Sequence, residues 1–118
     1  MVEAVSESPV VKLTNAILLS ALKKGAKSIR IQAATDTECV VEFRIGDDVH
    51  EELRPPATLL GPIVRRLSVM GSLPVYPKHG SASGRFQLVI GDKSTASFAI
   101  RVEGHGTTLA VLLELVSD

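Results

Sequence analysis

At 118 residues the chain can hold one domain with a real core and is too short for two. Lys and Arg together number 13, as do Asp and Glu, which leaves no net field to attract nucleic acid or an anionic membrane. Aromatics at 3%, with no Trp, cannot furnish a base-stacking surface, while 45% hydrophobic and 22% charged residues are a globular balance and not a disordered one.

Residues 1–8 read as a flexible tail and 9–116 as a single domain. Ser8 offers an N-cap hydroxyl, and Pro9 suits the first helical position, where its missing N–H would be unpaired in any case. Val10, Leu13, Ile17 and Ala21 recur at helical spacing, with Leu18 and Leu22 widening that face. Lys23 and Lys24 favour the negative end of the helix dipole, and Gly25 can take the left-handed cap. The period then falls to two. Ile29 and Ile31 alternate with Arg30 and Gln32, "ATDTE" turns the chain, and Val41, Phe43 and Ile45 alternate with Val40, Glu42 and Arg44. A tight turn at "GDD", 46–48, returns the chain through "VHEEL" and completes an expected antiparallel meander. "RPPATLLGPIVRRLSVMG" carries Leu60, Ile63, Val64, Leu67 and Met70 at helical spacing, with Pro62 confined to the first turn.

The stretch "PVYPKHGSASGR", 74–85, reads as a loop that gathers Tyr76, Lys78, His79 and Arg85 on a Gly/Ser frame. Three strand-like runs follow: "RFQLVI", "TASFAIRV" across a "GDKS" turn, and "TLAVLLELV". Helix, three strands, helix, three strands, joined by short turns, indicate an α+β domain with a mostly antiparallel sheet.

Familiar chemistry is scarce. "GDKST", 91–95, superficially matches the end of a phosphate-binding P-loop, but Asp92 interrupts the Gly-Lys pair, Gly84 is two residues too far upstream, and a strand follows where a helix is needed. Cys39, His50, His79 and His105 share no zinc-clamping spacing, so no metal is expected, and Cys39 reads as a small buried side chain. Asp47, Asp48, Glu51 and Glu52 read as solvated charge around a hairpin turn before they read as paired catalytic carboxylates. A lone cysteine fits a reducing compartment. The N-terminus shows no signal-peptide run, and "AVLLELV", 110–116, is far too short to span a bilayer, so a cytoplasmic protein without membrane insertion is expected.

Taken in order, the pieces match a family. "PVVKLTNAILLSALKKGAKSIRIQ" resembles "P-V-V-K-L-x-N-x-I-L-x-x-A-x-x-x-G-A-S-D-I-H-I-E" of the bacterial ATPases that drive type II secretion and type IV pili. "VVEFRIGDDVHE" is similar to that family's "V-R-x-R-I-D-G-x-L-x-E", and "VRRLSVMGSL" to its "x-x-R-I-K-V-M-A-x-L". The loop 74–85 lies where the family has "D-I-A-E-R-R-x-P-Q-D-G-R", of which Gly84 and Arg85 survive, and "GHGTTLAVLLEL" is similar to "T-H-G-E-K-V-V-L-R-L-L" at His105 and Gly106. The resemblance covers roughly residues 9 to 115 and implies the PAS-like domain that precedes the motor core.

In the family this domain lends arginines to the phosphates of a nucleotide held on the adjoining core. Carried over by position, Arg44 and Arg85 match such arginines, and Lys78 and His79 replace an Arg-Arg pair. Glu42 stands where the family has another arginine, a sign reversal at an anion site. Arg30 replaces the histidine of "D-I-H-I-E". These four residues, Arg44, Lys78, His79 and Arg85, are read as remnant anion contacts, with structural retention favoured over nucleotide binding. The sequence holds no P-loop and no magnesium-binding acidic segment, so neither catalysis nor a cofactor is expected of it. The resemblance implies a non-catalytic interaction or regulatory module that docks on a secretion or pilus ATPase. The alternative is a self-associating, homodimeric domain with its own ligand pocket.

Overall fold

The structure is a computed structural model that describes residues 8–73, 81–90, 94–104 and 106–116. The reasons for the first helix, α1 (Pro9–Lys24), are those its sequence suggests. Ser8 is extended and its Oγ accepts the Val11 N–H at 3.2 Å, while Gly25 closes the helix at φ +71°, a left-handed turn that donates its N–H back into the last turn. Thr14, a polar residue on the buried face, hides its hydroxyl by donating to the Val10 carbonyl at 2.8 Å.

Three strands follow: β1 (Ser28–Ala33), β2 (Cys39–Ile45) and β3 (Asp48–Leu53). A single turn of 3-10 helix at Ala57–Leu59 then leads into α2 (Leu60–Met70), whose third residue is Pro62, so the proline sits in the first turn where no intrahelical N–H is missed. The second half supplies β4 (Ser81–Ile90), β5 (Ser94–Glu103), a short 3-10 turn at Gly106–Thr108, and β6 (Ala110–Val116). The α+β class and the order helix, three strands, helix, three strands are as the sequence indicates.

One expectation is corrected. Five of the twelve residues of the supposed loop 74–85 are strand: Ser81 to Arg85 form the start of β4, paired residue for residue with Glu103 to Ala99 of β5. Ser, Ala and Gly carry little strand propensity, but the opposing backbone of β5 supplies hydrogen-bond partners that propensity does not foresee. Residues 74–80, with Tyr76, Lys78 and His79, lie outside the described residues, as do the turn 91–93 and His105.

All six strands make one antiparallel sheet in the order β3-β2-β1-β6-β5-β4. The two meanders are thus joined by their inner strands, β1 against β6, with Ile29 opposite Leu113 and Ile31 opposite Val111. Ile29, Ile31, Val41, Phe43, Val111, Leu113, Ile100 and Val102 all point to one face and are buried there. Ile17, Leu18 and Ala21 of α1 and Ile63 and Leu67 of α2 close over them, and the Phe86–Phe98 ring pair, 5.3 Å between centroids, extends the core toward β4. No described helix reaches the length and apolarity needed to cross a membrane.

Candidate functional site

Because both helices pack on one face, period-two alternation sends the remaining side chains to a second face that no described helix covers. The registers fix what stands beside what. One cross-strand row reads Arg44, Ser28, Glu114, Ala99, Arg85, from β2 across to β4. The next reads Glu42, Arg30, Leu112, Arg101, Ser83. Two shallow hollows lie along these rows. The first, about 330 Å³, is bordered by Arg30, Glu42, Arg44 and Val49, and the second, about 380 Å³, by Ser83, Arg85 and Arg101. Leu112 and Glu114 form the wall between them and border both.

Arg44 and Arg85 therefore share a face and a row, but they do not share a hollow. Four strand steps separate their backbones, roughly 19 Å at 4.7–4.9 Å per step. Each has a different arginine as its companion: Arg30 beside Arg44, and Arg101 beside Arg85. Neither Arg44 nor Arg85 is ion-paired with another described residue, whereas Arg101 is held by Glu103 at 3.2 Å. Lys78 and His79 fall outside the described residues.

Glu42 gains a local reason. The register sets it directly opposite Arg30, so a carboxylate and a guanidinium face each other across β1 and β2. The two departures from the family pattern that the sequence shows separately, Glu42 for arginine and Arg30 for histidine, are one neighbouring pair in space. Opposite charges there suit the sheet, and the first hollow is left with two arginines against Glu42 and Glu114.

Two ion-paired groups lie away from this face. Glu52 on β3 is ion-paired with Lys24 at the end of α1, tying the edge strand to the helix. Arg54 donates to Glu51 at 2.9 Å and reaches Glu38 at 3.4 Å. The Arg54 hydrogen bond holds the Glu51 carboxyl below the usual carboxylate range. Cys39 is fully buried at the start of β2, and burial pushes its thiol up from its ordinary value. Arg101, Leu112 and Glu114 are members of the open face that the sequence did not single out. Alternation alone places them toward solvent, but only the β1–β6 pairing brings them beside Arg30 and Arg44.

The type II/IV secretion system protein family matches residues 3–110. The chain belongs to that family. It is 34% identical over 102 residues to the type IV pilus assembly ATPase PilB of Myxococcus xanthus, which is 86% of this chain and 18% of that protein. It is 33% identical over 94 residues to the type II secretion system ATPase E of Vibrio cholerae, covering 80% of this chain and again 18% of the relative. The chain thus spans about a fifth of the length of the curated relatives it matches. Among solved structures, the Legionella pneumophila ATPase DotB superposes with a TM-score of 0.62 at 12% identity, over 98% of this chain and 31% of that one, a likeness of fold.

Proposed function

We propose that this member of the type II/IV secretion system family is a non-catalytic interaction module that docks on a secretion or pilus ATPase in the cytoplasm and regulates or scaffolds its assembly. The observation that carries the reading is the open sheet face: Arg30, Arg44, Arg85 and Arg101 ring a half-buried Leu112, with no described helix above them. An apolar centre inside a rim of arginines is the composition of a protein-binding surface, since arginine both pairs with carboxylates and lies flat on neighbouring side chains. The wide separation of Arg44 and Arg85 argues against their gripping one phosphate and for their meeting an extended partner.

The residues 9–116 carry no P-loop, so the role proposed for this domain is binding and not ATP hydrolysis. Similarity to ATPases over about a fifth of their length supports a partner of that class. The test is binding of the purified chain to a purified type IV pilus or type II secretion ATPase, with ATP turnover followed in parallel. Saturable binding that disappears in the double variant Arg44→Glu, Arg85→Glu is the expected result. Absence of both binding and any change in turnover would sink the reading.

A further inference from the structure

The two edges of the sheet are guarded very differently. β3 is six residues long and carries Asp48, Glu51 and Glu52, with Glu52 tied to Lys24 and Glu51 to Arg54, so an incoming strand meets fixed charge. β4 is ten residues long, contains no proline, and has Arg85 as its one charge. Its second half, Phe86 to Ile90, is an uncharged run, apolar but for Gln87, in which Val89 is 71% exposed. Among the described residues that end also runs past its neighbours: the last β5–β6 pair is Ser97 with Val116, while Leu88 to Ile90 pair with Ala96 to Ser94 beyond it.

We propose that two copies of this chain join through their β4 strands, antiparallel, with Phe86 opposite Phe86 at the two-fold axis. Six strands from each copy then form one continuous twelve-stranded sheet. The register follows from three constraints. Side chains on one face must meet the same face of the partner, so paired residues must have the same parity. Like charges must not oppose, which excludes a centre at Arg85. The strand must be used nearly whole, which excludes a centre at Gln87, where only Gly84 to Ile90 would pair. Centred on Phe86, the pairing runs from Ala82 to Ile90. The Phe86–Phe98 ring pair of each copy meets its equivalent across the axis on the core side. On the open face, each Arg85 falls opposite the partner's Gln87.

That last juxtaposition makes the proposal testable with a sign. Gln87 is exposed, so Gln87→Glu and Gln87→Lys leave the fold of the single copy intact, which circular dichroism verifies. Sedimentation equilibrium of the 118-residue chain over a wide concentration range should show reversible association to twice the 12.5 kDa of one copy. Gln87→Glu should tighten the dimer and Gln87→Lys weaken it, each by roughly 2- to 30-fold, because two cross-strand charge pairs change at once. A chain that stays monomeric at every concentration overturns the proposal, as does a dimer indifferent to both variants. Species that keep growing with concentration would show β4 pairing head-to-tail with β3, an open polymer, and would also overturn it. The dimer does not rest on docking to an ATPase: the experiment contains the chain alone, so the two readings fail separately.

Discussion

A methyl group at position 84 would sit 2.8 Å from the Gly71 carbonyl oxygen, closer than real Cβ atoms come, and 3.0 Å from Leu73 Cδ2. Gly84 is therefore kept by packing. The turn that ends α2 passes directly over β4, and only a residue without a side chain lets it do so. Gly84→Ala should cost about 1–3 kcal/mol in urea denaturation, as overpacking does, because the obstructing atom is backbone and cannot swing away. Its neighbour Arg85 is exposed and unpaired among the described residues, so Arg85→Ala should leave stability within about 0.5 kcal/mol. The Gly-Arg dipeptide that survives from the family's loop thus splits into a structural half and a surface half. Cys39 is governed by burial as well. Burial favours its neutral thiol, so its folded pKa lies above the unfolded one. The stability this brings is full below the unfolded value and is lost as pH rises from there through the folded value. At pH 8 a thiol reagent should therefore label Cys39 at the rate of unfolding and quantitatively in denaturant; rapid labelling of the native chain would contradict its burial.

Between strands, charge is arranged in pairs that only the register reveals. Arg30 and Glu42 oppose one another, and Glu51 stands on the far side of Glu42. Arg30→Glu would line three carboxylates across β1, β2 and β3 and should cost about 0.4–2 kcal/mol, since it loses a favourable cross-strand pair and puts a repulsion of similar size in its place. Adding Glu42→Arg to that variant should restore most of the loss, and a thermal melt of both variants reads the difference. If the double variant is no better than the single, the pair is not coupled. The same elements show what was legible in the sequence. Alternation of Ile29, Ile31, Val41 and Phe43 against polar neighbours told which side chains enter the core, because the pleat fixes the period. The helix caps at Ser8 and Gly25 were equally plain, since few residues do that work. The strand character of Ser81 to Gly84 was hidden, because small residues gain it only from the β5 backbone alongside. Hidden too was the β1–β6 pairing. It joins residues 28–32 to 110–114, and no local pattern encodes a contact over that distance. The open face exists as a surface only through that pairing, which is why Arg44 and Arg85 were visible as residues and Arg101, Leu112 and Glu114 were not visible as their neighbours.

At the scale of the whole molecule the sheet divides its labour between its faces, and β6 at its centre carries the division in adjacent residues. Leu113 points into the core, fully buried between Ile29 and Ile100, where both helices close over the sheet. Leu112 points the other way, half-buried between Arg30 and Arg101, as the wall shared by the two hollows. The same chemical change at the two positions should therefore give opposite outcomes. Leu113→Ala opens a cavity in close-packed surroundings and should cost about 2–5 kcal/mol. A single domain of this size has about 5–15 kcal/mol in all, so that variant should unfold at markedly lower urea. Leu112→Ala removes apolar area that the arginine stems only partly cover, and should cost under about 1 kcal/mol. Its effect belongs to binding: on the docking reading it flattens the apolar centre of the open face, and affinity for the ATPase should fall while the urea midpoint hardly moves. Denaturation and binding measured on the two variants separate the cases. Equal losses of stability would mean that the second face is covered after all. An unchanged affinity in a stable Leu112→Ala variant would move the partner's footprint away from the centre of the sheet.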